Sequence, residues 1–210
     1  MSLRFGRALD GRSADTAAAA AAMGVSRRTV QRWLQAKHGR SLAHIPARRL
    51  AQLIELLMPS AETRQREEQQ ARYAQHAIEG LHLPRGMGIL PGWERQRWLE
   101  PHVVVVLDIR VQQHRIRQVA IARAEAPKLD DLRRRGPIID QAVVPTRFHA
   151  TLLAHRVLSE MAPWRFQAQP HQVGQGFTQA WMAASPATAL TRWASELEPA
   201  GAGPGGPSRA

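Results

Sequence analysis

Four consecutive valines, Val103 to Val106, constrain the fold of this chain more than any other feature. They stand in the segment HVVVVLDIRV, in which apolar residues follow one another without interruption until Asp108. Strands with one face in water alternate apolar and polar side chains, whereas continuous apolar runs are typical of strands buried on both faces. We therefore expect this segment to form a strand that is covered on both sides.

The segments around this strand predict a small antiparallel sheet with helices. HRIRQVAIARA follows after a short turn and predicts a hairpin partner, and PIIDQAVVP predicts a third strand, with a short helix or turn, APKLDDLRRRG, between them. The segment TRFHATLLAHRVLSEMA predicts a helix with four apolar residues near one face: Phe148, Leu152, Val157 and Met161. One or two further helices are expected around Pro186. The predicted fold class is α+β.

The N-terminal part has a different pattern, TAAAAAAMGVSRRTVQRWLQ, which predicts two helices joined by a tight turn. Ser13 or Asp15 can cap the first helix, and Ser26 can cap the second. Gly24 stands where the chain must turn, and glycine tolerates a positive φ there without steric cost. The residues expected on the inner faces are Ala19, Ala20, Met23, Val25, Val30 and Trp33.

This spacing of a small residue, a glycine and the apolar positions resembles the helix-turn-helix of the phage repressor and Cro class, and of the DNA-binding domains of transposases and resolvases. The segment MGVSRRTVQRWL carries the resemblance, and IPARRLAQLIELL is similar to the later helix that closes a repressor-type core. The resemblance covers roughly residues 13–58. It implies an all-helical head whose second helix enters the major groove of DNA.

The resemblance also implies which residues contact DNA. Arginine pairs with guanine and glutamine with adenine, so the side chains outside the apolar stripe of the second helix are predicted to read bases: Ser26, Arg27, Arg28, Gln31, Arg32 and Gln35. Arg27 and Arg28 could instead both clamp phosphates. The predicted phosphate contacts are Thr16, Thr29, Arg40, Arg48 and Arg49.

The charge distribution also favours nucleic acid. The chain has 29 Lys and Arg against 17 Asp and Glu, a formal net charge of +12. Residues 1–58 hold ten basic and three acidic residues, whereas the longer remainder holds nineteen and fourteen. Most of the basic residues are arginines, which suit phosphate and guanine, although GC-rich coding would also raise the arginine content. The N-terminal part is the electrostatic focus.

The polar segment from Ser60 to Gly80 predicts a helix that connects the two parts or contributes to a dimer interface, with Tyr73, Ala77 and Ile78 as its apolar anchors. The Gly- and Pro-rich stretch after it marks a boundary. The predicted organisation is a DNA-binding head (1–58), a connector (59–96), an α+β domain for dimerisation or effector sensing (97–196) and a disordered tail (197–210). A first short helix is predicted within the head, over residues 2–9.

Two alternative functions would require residues that take part in a chemical reaction. Asp108 ends the valine strand, where a recombination enzyme of the transposase type could hold a metal ion with other carboxylates: Glu125, Asp130, Asp131 and Asp140. A terminal protein that maintains a linear replicon would need a hydroxyl to join DNA, and the chain has a single tyrosine, Tyr73. His149 and His155 are six residues apart and share no helix face. We predict no metal site and no cofactor.

The expected function is therefore sequence-specific binding of double-stranded DNA, as a bacterial transcriptional regulator of plasmid, phage or mobile-element type. A homodimer is expected, because each head offers few base contacts. The sequence does not specify an effector. With no apolar run of about 18 residues, we expect no membrane span and a cytoplasmic, nucleoid-associated protein.

Overall fold

The computed structural model describes residues 15–34, 46–84, 88–111, 114–167, 176 and 178–197. Its helices are α1 (Thr16–Met23), α2 (Arg27–Leu34), α3 (Ala47–Leu57), α4 (Ala61–Leu81), α5 (Pro91–Arg95), α6 (Ala126–Arg133), α7 (Arg147–Glu160), a 3-10 turn (Ala162–Trp164) and α8 (Leu190–Leu197). The strands are β1 (His102–Val111), β2 (His114–Arg123), β3 (Ile138–Val144) and β4 (Ala180–Met182).

The helix predicted at residues 2–9 lies outside the described residues. The predicted tail also lies outside them, except for its first residue, Leu197, which is the last residue of α8.

The four strands form one antiparallel sheet in the order β3-β1-β2-β4. In the central hairpin Val104 lies opposite Ile121, and on the other side of β1 Val104 lies opposite Ala142. The pairing of β1 with β3 shifts register between Val106 and Leu107. The α+β class and the three predicted strands are confirmed.

Strand β1 is covered on both faces, as its continuous apolar run predicts. Val104 and Val106 face α7 and α8 and join a core cluster that includes Leu153 and Trp193. The intervening residues, Val103, Val105 and Leu107, face the other way and pack with Leu132 of α6. All five apolar residues from Val103 to Leu107 are fully buried, which explains why the run contains no alternating polar residue.

The segment before Pro186 differs from the prediction of helix. Residues Ala180–Met182 form β4, which pairs with β2 at the edge of the sheet. Trp181 of β4 is fully buried, its indole packs in the core on the α7 side, and its Nε1 donates to Ser185 Oγ at 3.0 Å. Only the later part of the predicted helical region, α8, is helical.

Helix α4, predicted to connect two parts or to contribute to a dimer interface, packs along α7. Its contact stripe is made of the small residues Ala71, Ala74 and Ala77, which are buried and permit close approach of the two helices. Tyr73, predicted as an apolar anchor, is 49% exposed. Ala77 was predicted as an anchor and is buried, whereas Ala71 and Ala74 were not predicted, because alanine also occurs on exposed helix faces.

A buried ion pair also fixes α4 to the sheet region. The two Glu67 carboxylate oxygens accept hydrogen bonds from Arg165 at 2.8 and 2.9 Å, and the side chains are only 12% and 7% exposed. Arg165 also donates to Thr178 O at 2.9 Å. Nearby, Gln167 N donates to Leu57 O at 2.7 Å, which links the end of α3 to the same region.

Removal of one partner from this buried pair should destabilise the protein strongly, because it leaves the other charge uncompensated. We expect Glu67→Ala to lower the free energy of unfolding by about 3 kcal/mol, as measured by urea denaturation. The matched control is Glu68→Ala, whose carboxylate forms an exposed pair with Arg72 at 3.6 Å. The control should leave stability unchanged, since exposed pairs contribute little. Equal effects of the two substitutions would contradict this account.

Candidate nucleic-acid interface

Helices α1 and α2 are joined by a short turn whose geometry is fixed by local hydrogen bonds. Asp15 caps α1, its Oδ1 accepting from the amides of Ala17 and Ala18 at 2.9 and 3.0 Å. Gly24 ends α1 in the left-handed conformation, with φ 61°, and its amide donates back to the last turn of the helix. Ser26 Oγ then accepts from the amide of Thr29 at 3.1 Å, which caps the start of α2.

The two helices share a small core. Three of its residues, Ala19, Ala20 and Val30, are buried, and two more, Val25 and Trp33, are partly buried against it. Met23 at the end of α1 is also buried. The two alanines allow the helix backbones to approach closely, while Val30 brings the inner face of α2 onto α1. The opposite face of α2 is left at the surface.

Helix α3 closes the unit by binding the C-terminal end of α1. Arg49 Nη1 donates to Met23 O at 3.0 Å and to Gln52 Oε1 at 2.8 Å, and Gln52 Nε2 donates to the same carbonyl at 3.3 Å. The last carbonyls of a helix lack partners within it, so these side chains satisfy one of them. Sequence analysis missed Gln52, although its i, i+3 spacing from Arg49 is the available signal.

The residues predicted to contact DNA divide into three groups by their position. The first group is exposed: Ser26, Arg27, Arg28, Arg32 and Arg48. The second is partly buried: Thr29, Gln31 and Arg49. Thr16 is buried, with 8% of its surface exposed. Gln35 and Arg40 lie outside the described residues.

Three of the predicted phosphate contacts are engaged within the protein. The hydroxyl of Thr16 accepts from Arg27 Nε at 3.2 Å, and the hydroxyls of Ser26 and Thr29 lie 2.8 Å apart in a mutual hydrogen bond. Arg49 faces the end of α1. Arg27 is thus held against α1 through its Nε, and its side chain remains exposed.

The arginines of this unit differ from those of the sheet region in their electrostatic environment. Within the described residues, five arginines of α2 and α3 form no ion pair: Arg27, Arg28, Arg32, Arg48 and Arg49. The described part of the unit contains only two acids, Asp15 and Glu55. The described part of the unit therefore carries three more basic than acidic residues.

Most sheet-region arginines, by contrast, have carboxylate partners. Arg115 pairs with Asp108 across the hairpin, and Arg156 of α7 pairs with Glu196 of α8 at 2.6 Å. Similar pairs involve Arg97, Arg123, Arg133 and Arg134. All five described arginines of α2 and α3 thus lack a carboxylate partner, whereas only a minority of the described sheet-region arginines do, Arg95 and Arg110 among them.

The carboxylates considered for a metal site are dispersed and engaged elsewhere. Asp140 accepts from Thr188 Oγ1 at 2.5 Å and from Leu190 N at 3.1 Å, which caps the start of α8. The others form the arginine pairs described above: Asp108, Glu125, Asp130 and Asp131. In the ranges that the structure describes, no three His, Asp or Glu side chains come together as metal ligands.

The hydroxyl of Tyr73 also has a structural partner, since it accepts from Trp93 Nε1 at 2.9 Å. Tyr73 and Trp93 belong to an aromatic cluster with Phe148 and Trp98 between α4 and α7. The tyrosine therefore contributes to packing in this cluster.

Comparison with protein-family models, with curated proteins and with solved structures finds no match to this chain. Across the described residues, none of the helices has the length and apolar character needed to cross a bilayer. Function must therefore be inferred from the geometry and charge of the site itself.

The turn between α1 and α2 should depend on glycine at position 24, because other residues rarely adopt a positive φ. We expect Gly24→Ala to destabilise this unit by about 1 kcal/mol, seen as faster amide hydrogen exchange in residues 16–34. In the matched control, Gly92→Ala, nothing lies within 4 Å of the added Cβ. Exchange in α5 should then be no faster than in wild type. Unchanged exchange in α1 and α2 of Gly24→Ala would disprove the role assigned to this turn.

Proposed function

We propose that the chain binds double-stranded DNA through α1, α2 and α3 acting as a helix-turn-helix unit, with α2 in the major groove. The observation that carries the proposal is the set of exposed arginines on α2 and α3 that lack carboxylate partners. Unpaired arginines on a surface helix attract phosphates and can form two parallel hydrogen bonds to guanine.

The arrangement of α2 suits insertion into a groove. Val30 and Trp33 attach its inner face to α1, so its outer face remains available along its length. Arg28 and Arg32 are one helical turn apart and lie on the same face. We assign these two residues to base edges.

Two other arginines suit contacts with the DNA backbone. The Nε of Arg27 is held by Thr16, so its reach is limited to the edge of α2, where phosphates would pass. Arg48 is exposed in the first turn of α3. Backbone contacts of this kind fix the position of a recognition helix without reading sequence.

We further propose that two copies act together in transcriptional regulation. One head offers few base contacts, and paired heads spaced by about one DNA turn would read a palindromic site. The described residues of strand β3 lie at an edge of the sheet, with Ile139 and Val143 47% and 62% exposed. This apolar edge suits contact with a second copy.

Selection of bound sites from a random DNA pool tests the proposal. Wild-type protein should enrich a palindromic motif with half-sites about 10 base pairs apart. Arg28→Ala and Arg32→Ala should each relax the preference at specific base positions, by about 1–3 kcal/mol for each base pair that is no longer read. The control Arg72→Ala removes an exposed arginine of α4 that pairs with Glu68, and it should enrich the wild-type motif.

Enrichment of no motif by the wild-type protein would contradict sequence-specific recognition. A single half-site without its inverted repeat would contradict the paired heads. If Arg72→Ala reduced enrichment as much as the α2 variants did, binding would depend on total charge and not on α2.

A further inference from the structure

A cavity of about 420 Å³ lies between α4 and α7, and none of its lining residues belongs to α1, α2 or α3. Three aromatic residues line it: Tyr73 on α4, Trp98 after α5, and Phe148 on α7. The rings are arranged edge to face, with centroids 5.8 Å apart for Trp98 and Phe148 and 6.2 Å apart for Tyr73 and Phe148. The aromatic surface that the cavity offers comes from Tyr73 and Trp98, since Phe148 is only 2% exposed and lies behind them.

Two arginines also line this cavity, and they differ in exposure and in ion pairing. Arg66 is 66% exposed and pairs with Glu62 at 3.0 Å. Arg147 is partly buried, and among the described residues no carboxylate or hydrogen-bond acceptor contacts its guanidinium. Burial lowers the pKa of Arg147 below the usual value for arginine. None of the described residues that line the cavity is acidic.

The position of Arg147 is costly in the protein alone. Its backbone is fixed, because its amide donates to Trp98 O at 2.8 Å and its carbonyl accepts from Thr151 Oγ1 at 2.9 Å. It occupies the first position of α7, where the helix dipole disfavours a cation. Its guanidinium is partly desolvated and has no partner among the described residues, which reduces stability. Arg147 is therefore poorly explained by folding and better explained by a missing anionic partner.

We propose that this cavity is a binding site for a small aromatic carboxylate. The carboxylate accepts two hydrogen bonds from the guanidinium of Arg147, a geometry for which arginine is well suited. The ring of the ligand lies against Tyr73 and Trp98. The volume falls within the range of small-molecule sites, which combine apolar walls with a few polar groups. The inference does not depend on DNA binding.

A second cavity, of about 450 Å³, borders the other side of Trp98 and Arg147. It is lined by more cations, namely Arg123, Lys128 and Arg135, and Trp98 is its one aromatic residue among those described. A ligand that is mainly anionic, such as phosphate, would favour this second cavity. A ligand that combines one carboxylate with a ring favours the first.

The test uses benzoate as the probe, with benzamide as a neutral ring and inorganic phosphate as an anion without a ring. Binding is followed by the NMR signal of the ring of Tyr73, the single tyrosine of the chain, which lines this cavity and not the second one. We expect benzoate to shift this signal saturably with a millimolar or tighter Kd. Benzamide and phosphate should bind about tenfold more weakly, or not at all, because each lacks one of the two features.

Arg147→Met should lose at least about tenfold in benzoate affinity while its melting temperature equals or exceeds that of wild type, because a partnerless charge is removed. Arg95→Gln, which changes an exposed arginine outside the cavity, should bind benzoate as wild type does. The proposal is overturned if wild-type protein does not bind benzoate, or if phosphate binds as tightly. It is also overturned if Arg147→Met binds benzoate normally, or if its melting temperature falls by several degrees.

Discussion

The burial of β1 on both faces is the constraint on which the rest of the sheet region depends. Five consecutive apolar residues, from Val103 to Leu107, are removed from water, and each contributes about 1.5–3 kcal/mol relative to exposure. Such a strand requires a pairing strand on each side and a layer on each face. Strands β2 and β3 supply the pairing, α7 and α8 cover one face, and α6 covers the other. Helix α4 then packs on the outside of α7.

The chain uses arginine in three physically distinct ways. In the sheet region arginines are mostly matched to carboxylates, and Arg165 is buried against Glu67 as part of the fold. Of the five described arginines on α2 and α3, four are exposed and none has a carboxylate partner among the described residues, which favours an external polyanion. Arg147 is partly buried, and no described residue pairs with its guanidinium, which favours a single small anion. Structural arginines therefore differ from those proposed to bind ligands in their burial and in whether they have a carboxylate partner.

Much of the fold could be predicted from local pattern, but contacts between distant segments could not. The run from Val103 to Leu107 predicted its own burial, and Gly24 predicted the turn between the first two helices, because both signals are local. Strand β4 was missed because only three residues pair with β2. The exposed arginines of α2 could be predicted from the spacing of the apolar residues. The burial of Thr16 and the partnerless state of Arg147 depend on residues far away in sequence.

The salt dependence of DNA affinity tests the central claim most directly, namely that unpaired arginines of the N-terminal unit contact the phosphate backbone. The logarithm of the affinity for one duplex would be measured against the logarithm of salt concentration. For the double variant Arg27→Gln/Arg48→Gln, the slope should become shallower by about 1.8, or about 0.9 for each phosphate that is no longer neutralised. The control Arg72→Gln/Arg133→Gln, which removes the same charge from two ion-paired arginines, should keep the wild-type slope. An equal change in both double variants, or an unchanged slope in the first, would contradict the account.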